Sequence, residues 1–416
     1  MAMRGAHNVA HGPMACVAPA PYVPLMTPSL VFRHPFRPVM ALALCVAGSA
    51  AVAAQASIPR TFDRVLLLET TSETSASVSL GDVDGNGTLD VILAKGRHWP
   101  LVDQILRNDG KGHFSMQPLA DSADRTYSAA LADLDGDGDL DIVASNDKPD
   151  RKLIYLNDGA GHFRMSGTFG EAAWNTRYVT VADLNGDRRP DLIVANRSSN
   201  PAAPRPSFVC LNTGAGAFPS CTPLATQSAT IIVASDLDGD GKTDLVVPHR
   251  DGGQNLIFWN DGTGAFREPP MPLGPMRSQI RAAAAADING DRVIDVVVGD
   301  ERGGLFVYIG AGQRTFDAPV ALASAGGAPY AVAIADMNRD AKPDLVVGRQ
   351  EAVGSVLFNT GGARVPRFTD TPWGDGKGAV YGVAVGDLDG DGWPDIAAAR
   401  SEAPNAVWFS GPAGRR

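Results

Sequence analysis

Cysteine is scarce in this sequence. Four residues occur in 416, two of them, Cys16 and Cys45, within the first 45 positions. With only seven His there is no spacing that suits a zinc centre. A Gly-x-Ser-x-Gly nucleophile elbow is also missing, as is a phosphate-binding glycine loop, so the common signatures of hydrolases and nucleotide enzymes are absent. Basic charge does not dominate: 36 Lys and Arg face 46 Asp and Glu, and no base-reading motif occurs, which excludes a nucleic-acid partner. No segment carries a convincing helical period. There is no low-complexity tract, and 46 Gly with 30 Pro describe a turn-rich globular chain.

Acidic residues are wholly missing from positions 1–56. Arg33 and Arg37 precede an apolar run from Val39 to Ala54, and small residues offer cleavage after Ala53 or Ala56. This pattern predicts a signal peptide with an upstream presequence over 1–56, and hence a secreted or periplasmic product. The apolar run is short for a membrane span of about 20 residues, so no stable span is expected in the mature chain. Cys210 and Cys221 flank a Gly-rich turn and are placed to face each other as a cross-strand disulfide, which suits an exported protein.

What the sequence has in abundance is one nine-residue pattern, Asp-x-Asp/Asn-x-Asp/Asn-x-x-x-Asp, followed by small and branched apolar residues. The copies begin at Asp82, Asp133, Asp183, Asp236, Asp287, Asp336 and Asp387. A fixed period near 50 residues marks a repeat architecture. Each repeat reads as strand, acidic loop, strand, strand, Gly-rich turn, strand. In the sixth, Tyr330–Ala335 alternates apolar and small residues, the loop follows, and Leu345–Gly348 and Ser355–Phe358 are the next strands. Fourth strands are expected to open at Phe114, Phe163, Phe218, Phe266, Phe316 and Phe368.

Seven four-stranded antiparallel units predict an all-β fold, a seven-bladed β-propeller over 57–416, with the small-residue first strand innermost. The seventh repeat stops after its third strand. Arg60-Thr61-Phe62-Asp63 duplicates Arg314-Thr315-Phe316-Asp317, so residues 58–68 are expected to complete the last blade and close the ring. The ring is expected to be a monomer.

Loop positions one, three, five and nine offer side-chain oxygens, and position seven a carbonyl. The side-chain ligands this predicts are Asp82, Asp84, Asn86 and Asp90; Asp133, Asp135, Asp137 and Asp141; Asp183, Asn185, Asp187 and Asp191; Asp236, Asp238, Asp240 and Asp244; Asp287, Asn289, Asp291 and Asp295; Asp336, Asn338, Asp340 and Asp344; and Asp387, Asp389, Asp391 and Asp395. Oxygen-only, carboxylate-rich sets suit a hard cation, so up to seven Ca²⁺ are expected. An EF-hand is excluded, because position twelve is Leu93, Ala144, Val194, Val247, Val298, Val347 or Ala398 rather than Glu. The loops at Asp133, Asp236 and Asp387 hold four Asp each and are expected to bind most tightly.

On these motifs the chain resembles the FG-GAP/VCBS repeats of integrin α-chain propellers and of many secreted bacterial proteins. The resemblance implies a seven-bladed propeller with Ca²⁺ between the first two strands of each blade, and a role in adhesion or carbohydrate binding.

If the acidic loops share one face, the loops after second strands and before first strands share the other. That face is rich in Arg, including Arg97, Arg125, Arg177, Arg197, Arg250 and Arg277, with Tyr127, Tyr178, Tyr330, Tyr381 and Trp99 beside them. Guanidinium forks suit carboxylate or sulfate groups. The ligand residues expected are Arg125, Tyr127, Arg177, Tyr178, Arg277, Tyr330 and Tyr381, and the ligand is an anionic glycan or an extracellular protein. A binding module rather than an enzyme is expected. The alternative is a polysaccharide lyase, with His98 or His249 or a Tyr as base and Arg neutralising a uronate on this face.

Overall fold

The computed structural model describes residues 59–413 apart from 199, 201–204, 227, 323–325 and 363. The presequence, and with it the proposed cleavage sites, lies outside the described residues. Among those described there is no helix, and hence none long and apolar enough to cross a membrane.

The strands form seven four-stranded antiparallel sheets. Blade 1 consists of Ser75–Gly81, Asp90–Lys95, Gln104–Asn108 and Phe114–Pro118, hydrogen-bonded in chain order. Blades 2 to 6 repeat that order. In blade 7 the three strands Ala379–Gly386, Asp395–Ser401 and Ala406–Pro412 are completed by Arg60–Leu67, which runs antiparallel to the last of them with Arg60 opposite Pro412 and Leu67 opposite Ala406. The N-terminal strand therefore closes the ring. Phe62 is buried in the cluster between blades 6 and 7, and Arg60 Nε donates to Ser410 Oγ at 2.8 Å.

The core lies between blades rather than within any one. Each of seven buried clusters draws on two neighbouring blades, including the blade 7 to blade 1 pair that spans the closure. Second strands are sandwiched on both sides, and Asp90–Lys95, Asp141–Asn146 and Asp191–Asn196 are buried at every position. First strands touch the first strands of their neighbours around the axis. That crowding explains their small residues: a Cβ on Gly382 of blade 7 would lie 2.8 Å from the backbone of Ser77 in blade 1.

Two details depart from the sequence expectation. Fourth strands in blades 3, 4 and 5 are Cys221–Pro223, Met271–Ser278 and Val320–Ala321, so Phe218, Phe266 and Phe316 do not open them. Phe218 and Phe266 are instead buried in loops, each plugging the seam with the preceding blade. Thr315–Phe316 belongs to a small separate hairpin with Gly310–Gly312. Cys210 and Cys221 are disulfide-bonded across paired strands, with Cα atoms 4.1 Å apart.

Candidate functional site

The acidic loops are built by a regular exchange of hydrogen bonds. The first Asp accepts from the backbone N–H of position six in all seven loops, at 2.7 to 3.1 Å. The third side chain accepts the position-five N–H, for example Asp135 from Asp137 and Asn289 from Asp291. Position six must be left-handed. Gly87, Gly138, Gly241 and Gly392 adopt that conformation readily, whereas Arg188, Arg292 and Ala341 hold it with a side chain at φ 66°, 69° and 64°. The second residue, apolar throughout, is buried in the seam with the next blade, as Val83, Leu134 and Leu388 show.

The ninth Asp is the anchor. It is buried in every loop. Asp90 accepts from Val83 N at 3.0 Å and from Asn108 N at 2.8 Å, and the other six repeat this clamp between loop and third strand. Burial pushes Asp90, Asp141, Asp191 and Asp295 up to about 6, and Asp244, Asp344 and Asp395 up to about 7, against the opposing pull of those N–H donors.

Carboxylates one, three and nine converge in four loops: Asp82, Asp84 and Asp90; Asp133, Asp135 and Asp141; Asp236, Asp238 and Asp244; Asp387, Asp389 and Asp395 have ligand oxygens within 4.8 Å of one another. Such a set fits a hard divalent cation, since three like charges this close need a counter-ion. The loops at Asp183, Asp287 and Asp336 carry Asn185, Asn289 and Asn338 at position three and so lack the third carboxylate of that set. In the Asp133, Asp236 and Asp387 groups the fifth carboxylate is not one of the converging three. Asp137, Asp240 and Asp391 each accept the N–H two residues on instead, an Asx turn that shapes the loop.

One recurrent residue was not read as more than a turn former. The Asn at or near the end of the third strand bridges blades. Asn157 Nδ2 donates to Val83 O of blade 1 at 2.8 Å and to Leu140 O of its own loop at 3.1 Å. Asn108, Asn212, Asn260 and Asn359 do the same, and Asn108 reaches Leu388 across the ring closure. Its signal was present in the sequence: an Asn 15 to 21 residues after the ninth Asp, at the end of the apolar third-strand run, in five of the seven repeats.

On the opposite face the axis opens into a cavity of about 300 Å³, walled by the first strands of six blades and, in blade 4, by Thr230 and Ile231 just before the first strand. Its wall includes the residue six places before each loop: Ala76, Tyr127, Arg177, Thr230, Arg281, Tyr330 and Tyr381. Tyr178, Arg97, Arg197, Arg250 and His98 add to the lining. Of the expected ligand residues, Tyr127, Arg177, Tyr178, Tyr330 and Tyr381 meet there. Arg125 and Arg277 do not: Arg125 is bound to Asp150 at 2.9 Å, and Arg277 is exposed outside the cavity. His249 is buried elsewhere. Arg281 escaped notice because it opens a run of Ala.

Three carboxylates answer the five arginines. Asp147 pairs with Arg177 at 2.8 Å, Asp251 with Arg197 at 2.7 Å, and Glu301 with both Arg250 and Arg281. Arg97 lies over the ring of Tyr381, 3.7 Å from its centroid, and donates to Ser401 Oγ at 3.2 Å. His98 bonds the Tyr127 hydroxyl at 2.9 Å. Burial, then Arg97 and Arg177, lower the His98 pKa, while burial raises that of Tyr127.

Residues 82–144, 133–194, 236–298, 287–347 and 342–398 match a sequence family described as the FG-GAP-like repeat. A curated relative, Cartilage acidic protein 1 of Xenopus tropicalis, is 22% identical over 78% of this chain, which spans 57% of that protein's length. Among solved structures, an Agrocybe aegerita lectin described as recognising non-reducing terminal N-acetylglucosamine superposes with a TM-score of 0.53 at 18% identity, covering 72% of this chain and 80% of the lectin. A chain of the Mitotic Checkpoint Complex gives 0.54 at 14% identity over 89% of this chain and 98% of its own. At these identities the likeness is one of fold.

Proposed function

The chain belongs to the FG-GAP-like repeat family, and on that premise we propose that it is an exported, Ca²⁺-stiffened recognition module whose ligand enters the axial cavity opposite the metal loops. Ca²⁺ is the ion of choice because all the donors are oxygen and the loops are open enough for waters to complete a coordination of six to eight. The ions act as struts. They hold the loop face, while the other face is left to bind an anionic glycan or protein group in an adhesive role.

One observation carries the reading: five arginines and four tyrosines meet at the single axis of the ring, with two more positive than negative charges. A patch of that kind, walled by low-dielectric strands, favours anions. A glycan array run on the mature protein, with Ca²⁺ and with EGTA, tests it. Anionic glycans should bind, and binding should weaken with added salt. An array blank for anionic glycans and acidic peptides alike would overturn the reading.

A second reading rests on the His98–Tyr127 hydrogen bond beside Arg97 and Arg177. A neutral imidazole there is able to take the C5 proton of a uronate whose carboxylate an Arg holds. The C4–O bond then breaks, the leaving oxygen takes the Tyr127 proton, and an unsaturated sugar end results. Absorbance of unsaturated ends after incubation with pectin, alginate or ulvan separates this lyase from a lectin.

A further inference from the structure

The charges of the axial cavity are unevenly matched, and the mismatch has a position. Asp147 and Asp251 each hold one guanidinium in a closed pair. Glu301 serves both Arg250 and Arg281, which leaves one positive charge over on the side of blades 4 and 5. Burial and neighbouring Arg250 depress the Arg281 pKa to about 10, as expected of cations crowded together. The other surplus charge is Arg97 in blade 1. Among the described residues no carboxylate lies within ion-pair reach of it, and its buried Nε has no partner. Arg177, which also lines the cavity with a side chain only 9% exposed, likewise has a buried Nε without a partner. Partly buried guanidinium groups without acceptors are costly unless a ligand supplies them.

The two surplus charges are linked by rings. Tyr381 has Arg97 3.7 Å and Arg281 5.7 Å from its centroid, and Tyr330 lies tilted beside it with centroids 5.2 Å apart and Arg281 3.8 Å from its own centroid. A molecule about as long as one or two rings reaches both cations. The wall runs round the axis, because first strands of six blades and the segment leading into that of blade 4 contribute to it. A polymer has no lateral exit and must enter end-on. Trp99, two residues from Arg97 in the same loop, is 69% exposed and offers a flat platform of the kind a sugar ring stacks on.

Resting on the reading of this cavity as a ligand site, we propose that it captures the end of an acidic glycan through two anionic groups, one on Arg97 and one on the Arg250–Glu301–Arg281 cluster. Isothermal titration calorimetry of the mature protein in Ca²⁺ tests it, with digalacturonate, galacturonate, a sulfated uronate disaccharide and Asp-Asp dipeptide as probes. One of the two disaccharides should bind at least about tenfold more tightly than galacturonate, since each charge-assisted contact is worth roughly that factor. Arg97→Gln and Arg281→Gln should each bring that disaccharide to the level of galacturonate, with melting temperatures unchanged. Arg302→Gln, exposed and outside the cavity, should leave binding as it was. Unchanged affinity in Arg97→Gln overturns the two-anion assignment while the cavity stands as a ligand site. Tighter binding of the dipeptide overturns the glycan. No binding of any probe overturns this proposal together with the reading it rests on.

Discussion

A single side chain decides how strongly each metal loop can act, and counting carboxylates does not identify it. By sequence the loops at Asp133, Asp236 and Asp387 are equals, with four Asp each. In the fold Arg314 Nε sits 2.7 Å from Asp238, and Arg64 is bonded to Asp389, so two of the three already have an internal cation on position three. Asp135 has no basic partner among the described residues, and Asp139 adds a further carboxylate to its loop. An incoming ion must share or displace the arginine, at a cost of about 1 kcal/mol for a pair whose guanidinium is exposed and whose carboxylate is largely covered. The Asp133 loop should therefore fill first, and Arg314→Gln should tighten the Asp236 loop by up to about fivefold, the same energy read as a binding ratio. Calcium titrations in which Arg314→Gln changes nothing would refute this. Away from the loops, Asp103 is buried, accepts from Lys95 N at 2.7 Å and Thr126 Oγ1 at 2.8 Å, and is pushed up to about 7, chiefly by burial. Since a free Asp titrates near 3.9, the folded state holds this proton more tightly than the unfolded state does. Its contribution is therefore fully present below about pH 4 and is lost as pH rises through 7. Asp103→Asn keeps the Lys95 bond on Oδ1 and turns the Thr126 contact into a donation from Nδ2, without the charge, so urea midpoints from pH 4.5 to 7.5 should show the parent losing stability relative to the variant. Parallel curves would mean the carboxylate is ionised throughout.

At the scale of strands and turns, what ties one blade to the next is a bond from a turn to a loop. Asn157→Ala would strip the buried Val83 carbonyl and the half-buried Leu140 carbonyl of a donor and should cost about 2 kcal/mol, most of it from the orphaned buried acceptor. Chemical denaturation of that variant measures it, and a change within error would show that water replaces the amide. The closing strand makes the same point at larger size. Deleting residues up to 68 leaves Ala406–Pro412 as an open edge and uncovers Trp408, Val407 and Phe409, so the truncated chain should aggregate or melt far more readily. A monomer as stable as the mature chain would refute the closure. These elements were legible in the sequence because the acidic loop is a rigid marker: it fixes the phase of the strands on either side, and with it the blade count and the missing fourth strand. Farther from the marker the phase was lost. Phe218 and Phe266 read as strand openers because an aromatic that plugs a seam has the same neighbours in sequence as one that starts a strand. The cavity was half legible for the same reason. Counting back from the loop, the position six residues before it holds Ala, Tyr, Arg, Thr, Arg, Tyr and Tyr in turn. Choosing by residue type took Arg125 and Arg277, which lie out of that phase, and passed over Arg281.

The whole ring has a charge problem that cations held by the acidic loops would solve. Residues 1–56 hold three Arg and no acid, so residues 57–416 carry 33 basic against 46 acidic side chains. Much of that excess sits in the acidic loops on one face, where neighbouring carboxylates in the four convergent groups lie within 4.8 Å of each other. Without a cation they repel, and the ninth Asp is driven towards its protonated form by burial. The blades also cannot settle this independently, because every core cluster is shared by two of them and five Asn bridges run from one blade to the loop of the one before. A loop that loosens releases the carbonyl its neighbour is bonded to. Ligands that bind only the folded state stabilise it by about 2.7 kcal/mol per site at a hundred times the dissociation constant. Four such sites acting on one cooperative unit amount to a melting shift on the order of 10 °C. Scanning calorimetry of the mature protein should thus show one transition in excess Ca²⁺ and a lower, broader one in EGTA, restored by adding Ca²⁺ back. Mg²⁺, which keeps its waters and demands a tighter octahedron, should restore less. Identical traces with and without chelator would mean that the hydrogen-bonded loops and the Asn bridges hold the ring unaided, and that the carboxylate groups serve something other than its stability.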